Sequence, residues 1–359
     1  DAAPVLFPIP VTRGLGPVAS ADLLLHGRGS ATFARCRRRG FGWLCSGIVV
    51  GNRWSLTYHG GLATHKIVIL APLAYNLSPT TPPVFSLPDH ALVTLEGPDA
   101  MAFAHAQFAN DVAALAPGCW QWNAWLTPKG RVIAVFALAR PAEDRVWLVL
   151  PDHPADLFAE ALRRFVFRRT LTIEVPADRA ISGAHAAPAH AQGNLLGTAG
   201  DAVELDMGGD GGPRTLRIGT AAPDDEAARL AWQVSDLRHG LPRLPASQRE
   251  QWTPQQLALD RLAAYSVKKG CYPGQEIVAR THFLGKAKRS LQCFAAAGPV
   301  VAGASVRHEA QDVGEVVCVA PDDARTLLLA VMPLDHAGTG LSAEGHALER
   351  LPLYDGLRR

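Results

Sequence analysis

One cysteine, Cys271, stands in a setting that favours a reactive thiol. It follows Lys268 and Lys269 at a distance of three and two residues, and neighbouring cations favour the thiolate over the protonated thiol. Residues 272–275 read Tyr-Pro-Gly-Gln and predict a type II turn, because proline presets φ at the second position and glycine accepts positive φ at the third. We expect this turn to hold the thiol at the surface; the alternative is a small buried residue.

The chemistry open to Cys271 is the handling of sulfur, iron or a one-carbon adduct. No catalytic triad is visible, because the only histidine nearby is His282. A lone cysteine also cannot hold an iron–sulfur cluster, which usually needs several ligands. The six cysteines include no CxxC pair. We therefore predict no resident metal, and expect any role with clusters to concern clusters in transit.

The charged residues are unevenly distributed along the chain. Residues 1–88 carry a net charge of +6 within a total of +2, so the remainder carries −4. Inside that remainder, the window 268–289 has six basic side chains against Glu276 alone. Such an island attracts anionic ligands. Its last basic run, residues 286–289, has no interleaved aromatic residue, so a solvated edge is the alternative and direct nucleic-acid binding stays open.

Length and composition predict a globular protein of two or three domains. A chain of 359 residues with 48% hydrophobic side chains can bury sizeable cores. No run approaches the roughly 20 apolar residues that a membrane helix requires. The cysteine usage fits a reducing compartment better than a disulfide framework. We expect a cytoplasmic protein that does not contact a membrane.

Residues 1–86 differ from the rest of the sequence. They begin without methionine, are nearly free of acidic residues, and combine an arginine cluster with the proline-rich stretch 78–83. No amphipathic period holds for long. We expect a disordered extension, or sequence upstream of the natural start read as protein; an organelle transit peptide is the weaker alternative.

From residue 87 onward the pattern predicts an α+β domain. Helices are expected after Pro98 and after Pro154, the second with an apolar stripe that runs to Val166. The order of elements favours helices on one face of a mostly antiparallel sheet. The predicted strands are 91–95, 119–126, 131–139, 145–150 and 170–175.

The second half of the chain predicts two more helices and a small closed β domain. Residues 178–200 are expected to be a loop, and the glycine cluster 208–212 joins two short strands without a nucleotide-binding fingerprint. Helices are predicted over 224–239 and from Thr253 onward. Five short strands follow, at 290–294, 305–308, 314–319, 326–331 and 347–351.

The residues around Cys271 resemble a known family. The segment KKGCYPGQEIVAR (268–280), followed by HFLGKAKRSL (282–291), closely resembles the signature of the YgfZ-type folate-binding proteins, which are relatives of the glycine-cleavage T-protein. TPKGRV (127–132) also resembles the N-terminal module of that family. The resemblance covers about residues 87–359. It implies T-protein-like α+β modules around a central folate channel over residues 87–285, and a C-terminal β barrel over 286–359.

The resemblance also implies a function. Members of this kind bind tetrahydrofolate or a derivative and support assembly or repair of iron–sulfur clusters in client enzymes, including some that modify tRNA. The alternatives are a folate-dependent one-carbon transferase or demethylase and, from another class, a pure RNA-binding module. The T-protein has an acidic residue in the hairpin that corresponds to residues 125–129, where this chain reads Trp-Leu-Thr-Pro-Lys. We therefore expect no aminomethyltransferase activity.

The resemblance extends to individual site residues. Trp232 matches a tryptophan that lines the folate site, although a tryptophan in such a helical pattern is more often core. His90 stands where relatives carry another ligand-facing tryptophan, which weakens the stacking platform. Glu276 and Arg280 could instead form a local ion pair on one helix face. With Cys271 as the functional thiol, the expected folate-binding residues are Trp232, His90, Lys268, Lys269, Tyr272, Gly274, Gln275, Glu276 and Arg280.

Overall fold

The computed structural model describes strands between residues 32 and 70, and residues 83–359 except 286 and 336–338. The early strands form a four-stranded antiparallel sheet in a unit separate from Pro82–Arg359. The rest of residues 1–82 lies outside the described residues, so the extension predicted over 1–86 stays a prediction, together with the other domain boundaries. The early strands are β1 (Thr32–Arg38), β2 (Phe41–Val50), β3 (Arg53–Gly60) and β4 (Ala63–Leu70).

The larger unit begins with a two-residue strand, β5 (Phe85–Ser86), and a five-stranded antiparallel sheet. Two helices, α1 (Ala100–Gln107) and α2 (Ala155–Arg163), cover one face of this sheet and share a core with it. The predicted strands and helices of this region are present, but the helix after Pro154 ends at Arg163, before the predicted stripe reaches Val166, and the strand predicted over 170–175 is limited to Thr172–Glu174. The strands are β6 (Ala91–Glu96), β7 (Cys119–Leu126), β8 (Val132–Ala142), β9 (Arg145–Leu150) and β10 (Thr172–Glu174), in the order β10-β6-β9-β8-β7.

A second five-stranded sheet includes β5 and lies next to a long helix. The helix α3 (Glu226–Arg238) begins as predicted, because the Asp225 carboxylate accepts a hydrogen bond from the Ala228 amide at 2.9 Å. The strands are β11 (Ala180–Ala184), β12 (Gly197–Ala199), β13 (Ala202–Asp206) and β14 (Thr215–Gly219), in the order β12-β13-β14-β11-β5.

Helix α4 (Gln275–Phe283) precedes a closed six-stranded barrel. The barrel strands are β15 (Arg289–Ala296), β16 (Ser305–His308), β17 (Gln311–Asp322), β18 (Arg325–Pro333), β19 (Leu341–Ala343) and β20 (His346–Leu351). The barrel closes because β15 pairs with both β18 and β20, and α3 packs against β17 and β18. The α+β class and the C-terminal barrel are thus confirmed. Among the strands of the barrel, only the three-residue β19 was not predicted.

Two sequence predictions are wrong. The helix expected from Thr253 does not form: its cap exists, since the Gln256 amide donates to the Thr253 hydroxyl at 3.3 Å, but Ala258 and Ala263 take φ of 51° and 55°. These left-handed residues turn the chain instead of extending a helix. The loop expected over 178–200 contains β11 and β12. Strand β11 is rich in Ala and Gly because a Cβ on Gly183 would lie 3.0 Å from both Phe85 and Trp232.

A buried ionic network joins the two sheets and α3. Asp236 is fully buried on α3, and its carboxylate oxygens accept from Arg214 at 2.7 Å and from Arg243 at 3.1 Å. Arg214 directly precedes β14 of the second sheet. Arg243 also binds Asp152, which follows β9 of the first sheet, at 2.5 Å. Among the described residues, no helix is long and apolar enough to cross a membrane.

We expect Asp236→Asn to lower the free energy of unfolding by about 3–5 kcal/mol, because the change leaves two buried guanidinium groups without their shared carboxylate. Chemical denaturation measures this. The matched control is Asp312→Asn, whose partner Arg307 and own side chain are about 60% exposed and which should cost less than about 1 kcal/mol. Equal losses from the two variants would contradict the importance of the buried network.

Candidate functional site

The predicted turn is present and leads directly into a helix. Gly274 has φ 80° and ψ 1°, the values of the third position of a type II turn, and the Gln275 amide donates to the Tyr272 carbonyl at 3.1 Å. Helix α4 starts at Gln275. The turn therefore places Cys271 just before the N-terminus of α4. Of the four cysteines whose side chains the structure describes, only Cys271 is exposed, as expected.

The tip of the β7–β8 hairpin supports this turn through two glycines. A Cβ on Gly274 would lie 2.6 Å from the Thr127 carbonyl oxygen and from Gly130 Cα. Gly130 has φ 70°, and its own Cβ would lie 2.8 Å from the Ile277 side chain. The two backbones therefore touch without intervening side chains. The hairpin tip therefore supports the signature segment from behind.

Lys269 is buried rather than displayed on the basic island. Its ammonium group donates to the backbone carbonyls of His105 and of Phe108, the latter at 2.6 Å. These carbonyls lie at the C-terminal end of α1, where a helix lacks internal donors and favours a cation. The ammonium also lies 4.8 Å from the centroid of the Tyr272 ring. Burial lowers the pKa of Lys269 from its usual 10.5 to about 8.

Tyr272 and Gln275 also anchor the segment from inside. The Tyr272 side chain is buried, and its hydroxyl donates to the Ser266 carbonyl at 3.2 Å. Burial raises the pKa of this hydroxyl. The Gln275 side-chain amide donates to the Lys269 carbonyl at 3.0 Å. Cys271 is thus exposed between two buried anchors, Lys269 and Tyr272.

The other predicted residues of the segment face solvent. Lys268, Glu276 and Arg280 are exposed, and within the described part of the chain no ion pair joins Glu276 to Arg280, so the local ion-pair alternative is not seen. These residues, with Gly274, form one group around Cys271. The remaining two predicted residues, Trp232 and His90, belong to a second group.

The second group lies in the core that the two sheets share with α3. Trp232 is fully buried, and the Arg214 guanidinium carbon stands 4.6 Å above its ring. Phe85 contacts the same ring edge-on, with centroids 6.0 Å apart. His90 precedes β6, and its pKa is well below the usual value because of burial and, secondarily, because of the charges of Arg243 and Arg214.

Several buried nitrogens of this group have no hydrogen-bond partner in the described protein. They are Nε1 of Trp232, Nδ1 of His90, and Nε and Nη2 of Arg214. A buried polar nitrogen without a partner is costly, so a cluster of them marks a place that a polar ligand can complete.

Sequence reasoning missed Arg214 and the network that orients it. Arg214 stands in a short loop after the glycine cluster, where an arginine is unremarkable. Only the fold brings it over Trp232 and against Asp236. The three tryptophans of β7, Trp120, Trp122 and Trp125, are buried. Within the described residues, no group of three or more His, Cys, Asp or Glu side chains is placed to hold a metal ion.

Comparison with known proteins finds relatives that share one name. The chain is 30% identical over 242 residues to the tRNA-modifying protein YgfZ of Serratia proteamaculans, and the aligned region covers 61% of this chain and 72% of the relative. It is 29% identical over 282 residues to the protein of the same name from Cronobacter sakazakii, covering 70% of this chain and 85% of the relative. No family model matches the sequence.

The fold is similar to that of a solved enzyme. The crystal structure of the glycine cleavage system aminomethyltransferase T from Bartonella henselae superposes with a TM-score of 0.61, at 17% sequence identity, over 75% of this chain and 84% of that one. At this identity the likeness concerns the fold. It confirms the T-protein-like architecture expected from the signature segment.

We expect Gly274→Ala to destabilise the protein by at least about 1 kcal/mol, because the new Cβ meets the hairpin backbone and φ is positive. Gly270→Ala is the matched control in the same segment, since nothing lies within 4 Å of its Cβ position. Thermal and chemical unfolding of both variants measure the difference. Equal stability of the two would contradict the close contact between turn and hairpin.

The lowered pKa of Lys269 predicts a pH dependence. Between pH 8 and 10.5 the unfolded chain binds a proton that the folded protein does not, so this group increases stability as pH rises through that window. The free energy of unfolding of the wild type, minus that of Lys269→Met, should therefore increase by about 1–3 kcal/mol over the window. A difference that does not change with pH would mean that the ammonium titrates as in water.

Proposed function

Because the chain belongs to the YgfZ family, we propose that it binds a reduced folate and supports tRNA modification by maintaining iron–sulfur clusters in client enzymes. Relatives named as tRNA-modifying proteins support the link to tRNA modification. The T-protein-like fold supports the link to folate. The observation that carries the proposal is the set of unpartnered buried nitrogens around Trp232.

The folate would be held by His90, Arg214 and Trp232. Arg214 offers Nε and Nη2 as donors while Asp236 fixes its remaining nitrogen, so the free donors point in a defined direction. The Trp232 indole and the neutral His90 imidazole add one polar nitrogen each. Where relatives use a tryptophan at position 90, this chain offers a smaller ring that hydrogen-bonds. When bound, a reduced folate supplies a carrier for one-carbon units.

Cys271 supplies the thiol in this proposal. Its exposure allows a client protein to reach it, and its buried neighbours hold its backbone in place. The thiol would ligate or repair a cluster that belongs to the client, as a transient ligand. Lys268, Glu276 and Arg280 surround it as exposed charged groups that could bind the folate tail or the client. Lys269, which is buried under α1, is left out of the proposed ligand set.

The hairpin argues against the transfer chemistry of the T-protein. Residues 127–130 contain no carboxylate, and their backbone is already occupied by its contact with Gly274. No acidic side chain from the tip is available to assist attack on an aminomethyl group. We therefore propose folate binding without aminomethyl transfer. Formation of methylenetetrahydrofolate from a lipoyl carrier and tetrahydrofolate would overturn this proposal in favour of a transferase.

The proposal is tested by titration with 5-formyltetrahydrofolate. Trp232→Phe keeps an aromatic ring but removes the indole nitrogen, and it should weaken binding about fivefold or more through loss of a buried hydrogen bond. Trp147→Phe is the matched control: its indole nitrogen is also buried and unpartnered, but its ring contacts Arg179 instead. Equal folate affinities of the wild type and Trp232→Phe would contradict the proposed folate site.

Folate titration combined with a complementation assay in cells separates the role of the thiol from that of the folate site. Cys271→Ala should bind the folate as the wild type does, yet fail to restore iron–sulfur enzyme activity in cells that lack the protein. Gly270→Ala, which changes an exposed neighbour, should restore it. Full restoration by Cys271→Ala would show that the thiol is not the working group.

A further inference from the structure

The segment after α2 displays aromatic side chains that the sequence pattern assigns to the core. The predicted stripe continues to Val166, but α2 ends at Arg163 and the chain turns, with the Val166 amide donating to the Arg163 carbonyl at 3.0 Å. As a result Phe165 is 50% exposed and Phe167 is 73% exposed. Two such rings on one short loop form an apolar surface that the described chain leaves uncovered.

Arginines flank these rings on both sides. Residues 163–169 read Arg-Arg-Phe-Val-Phe-Arg-Arg, and no acidic residue occurs from 161 to 173. The Arg168 guanidinium carbon lies 4.9 Å from the centroid of the Phe167 ring. Arg164 pairs with Glu160 at 3.1 Å, whereas within the described chain neither Arg168 nor Arg169 forms an ion pair. The segment, which we name the Arg–Phe loop (residues 163–169), is therefore strongly cationic.

The fold holds the Arg–Phe loop rigid at both ends. At its start, Nε and Nη2 of Arg163 donate to the Ile173 carbonyl at 3.1 and 2.6 Å. Just after its end, the Thr170 amide donates to the Asp99 carboxylate at 2.6 Å. Between these anchors, Phe165 packs edge-on against Trp125, with ring centroids 6.1 Å apart. Preorganised side chains lose less conformational entropy on binding.

The loop also adjoins the structure that supports Cys271. Trp125 is near the end of β7, directly before the hairpin tip at 127–130. That tip contacts Gly274 of the signature segment. Phe165 is thus linked to the Cys271 turn through a single hairpin.

We propose that the Arg–Phe loop binds single-stranded RNA. Exposed rings stack on bases and guanidinium groups neutralise phosphates, a combination that single-stranded nucleic acids use. Within the loop, Arg168 and Arg169 have no carboxylate partner among the described residues, and this excess of positive charge favours a polyanion over an ordinary protein surface. The choice of RNA rests on the proposed role in tRNA modification, but binding at this loop requires neither folate nor the thiol.

The test uses full-length protein and a fluorescent oligouridine of about 12 nucleotides, a length in the range of single-strand sites. Phe167→Ala removes a ring that is mostly exposed, so it should fold normally and bind the RNA at least about fivefold more weakly. Arg168→Asn suits the residue's φ of 54°. It should reduce the slope of log affinity against log salt by about 0.7.

Matched changes on the barrel serve as controls. Leu334→Ala removes an apolar side chain that is 59% exposed, and Arg307→Asn removes an exposed arginine; both should bind the RNA as the wild type does. The proposal is overturned if the wild type does not bind the oligouridine at low salt. That result is expected if the loop binds a protein instead of RNA. The proposal is also overturned if the loop and barrel variants bind equally.

A folate titration of Phe167→Ala keeps the two proposals distinguishable. Loss of RNA affinity with normal folate affinity supports the Arg–Phe loop as a separate site. If RNA binding is unaffected while Trp232→Phe loses folate, this inference fails and the folate site stands. If RNA binding depends on Phe167 but no variant affects folate, the RNA site stands and the folate site fails.

Discussion

The fold depends on one buried carboxylate, that of Asp236. It lies where the first sheet, the second sheet and α3 meet, and it binds an arginine from each side. Taking these charges out of water is costly, and the same volume filled by apolar side chains would often be as stable. The ionic arrangement instead restricts the geometry of the contacts, because each guanidinium group is planar and has fixed donor positions. The three elements can therefore meet in few other ways.

The same carboxylate determines what the site can offer a ligand. Asp236 occupies one nitrogen of Arg214, and the Trp232 ring covers the face of the guanidinium group, so two donor nitrogens, Nε and Nη2, remain. An arginine that was free to rotate would find other partners or water. The interaction that costs the fold desolvation energy thus creates the unpartnered donors from which we infer folate binding. In the proposed site, stability and recognition therefore depend on the same residues.

The sequence predicted local features well where the determinants are local. The turn at 272–275 follows from proline and glycine at adjacent positions, and the barrel strands follow from their spacing. Features that depend on distant partners were not predictable. Lys269 resembles a surface cation until α1 supplies two carbonyl groups, and Arg214 acquires its role only from α3. The helix expected from Thr253 has a correct cap, but a cap does not prevent left-handed residues further on.

The exposure of Cys271 is itself a consequence of burial on either side. Lys269 is drawn inward by the end of α1, and Tyr272 by the shared core, so the chain between them must project outward. Gly274 then closes against the hairpin tip, which fixes how far the thiol stands from the surface. The hairpin tip at 127–130 thus has a positioning role in this chain. It supports the turn that carries the thiol through backbone atoms, so this support does not depend on the side chains at 127–129.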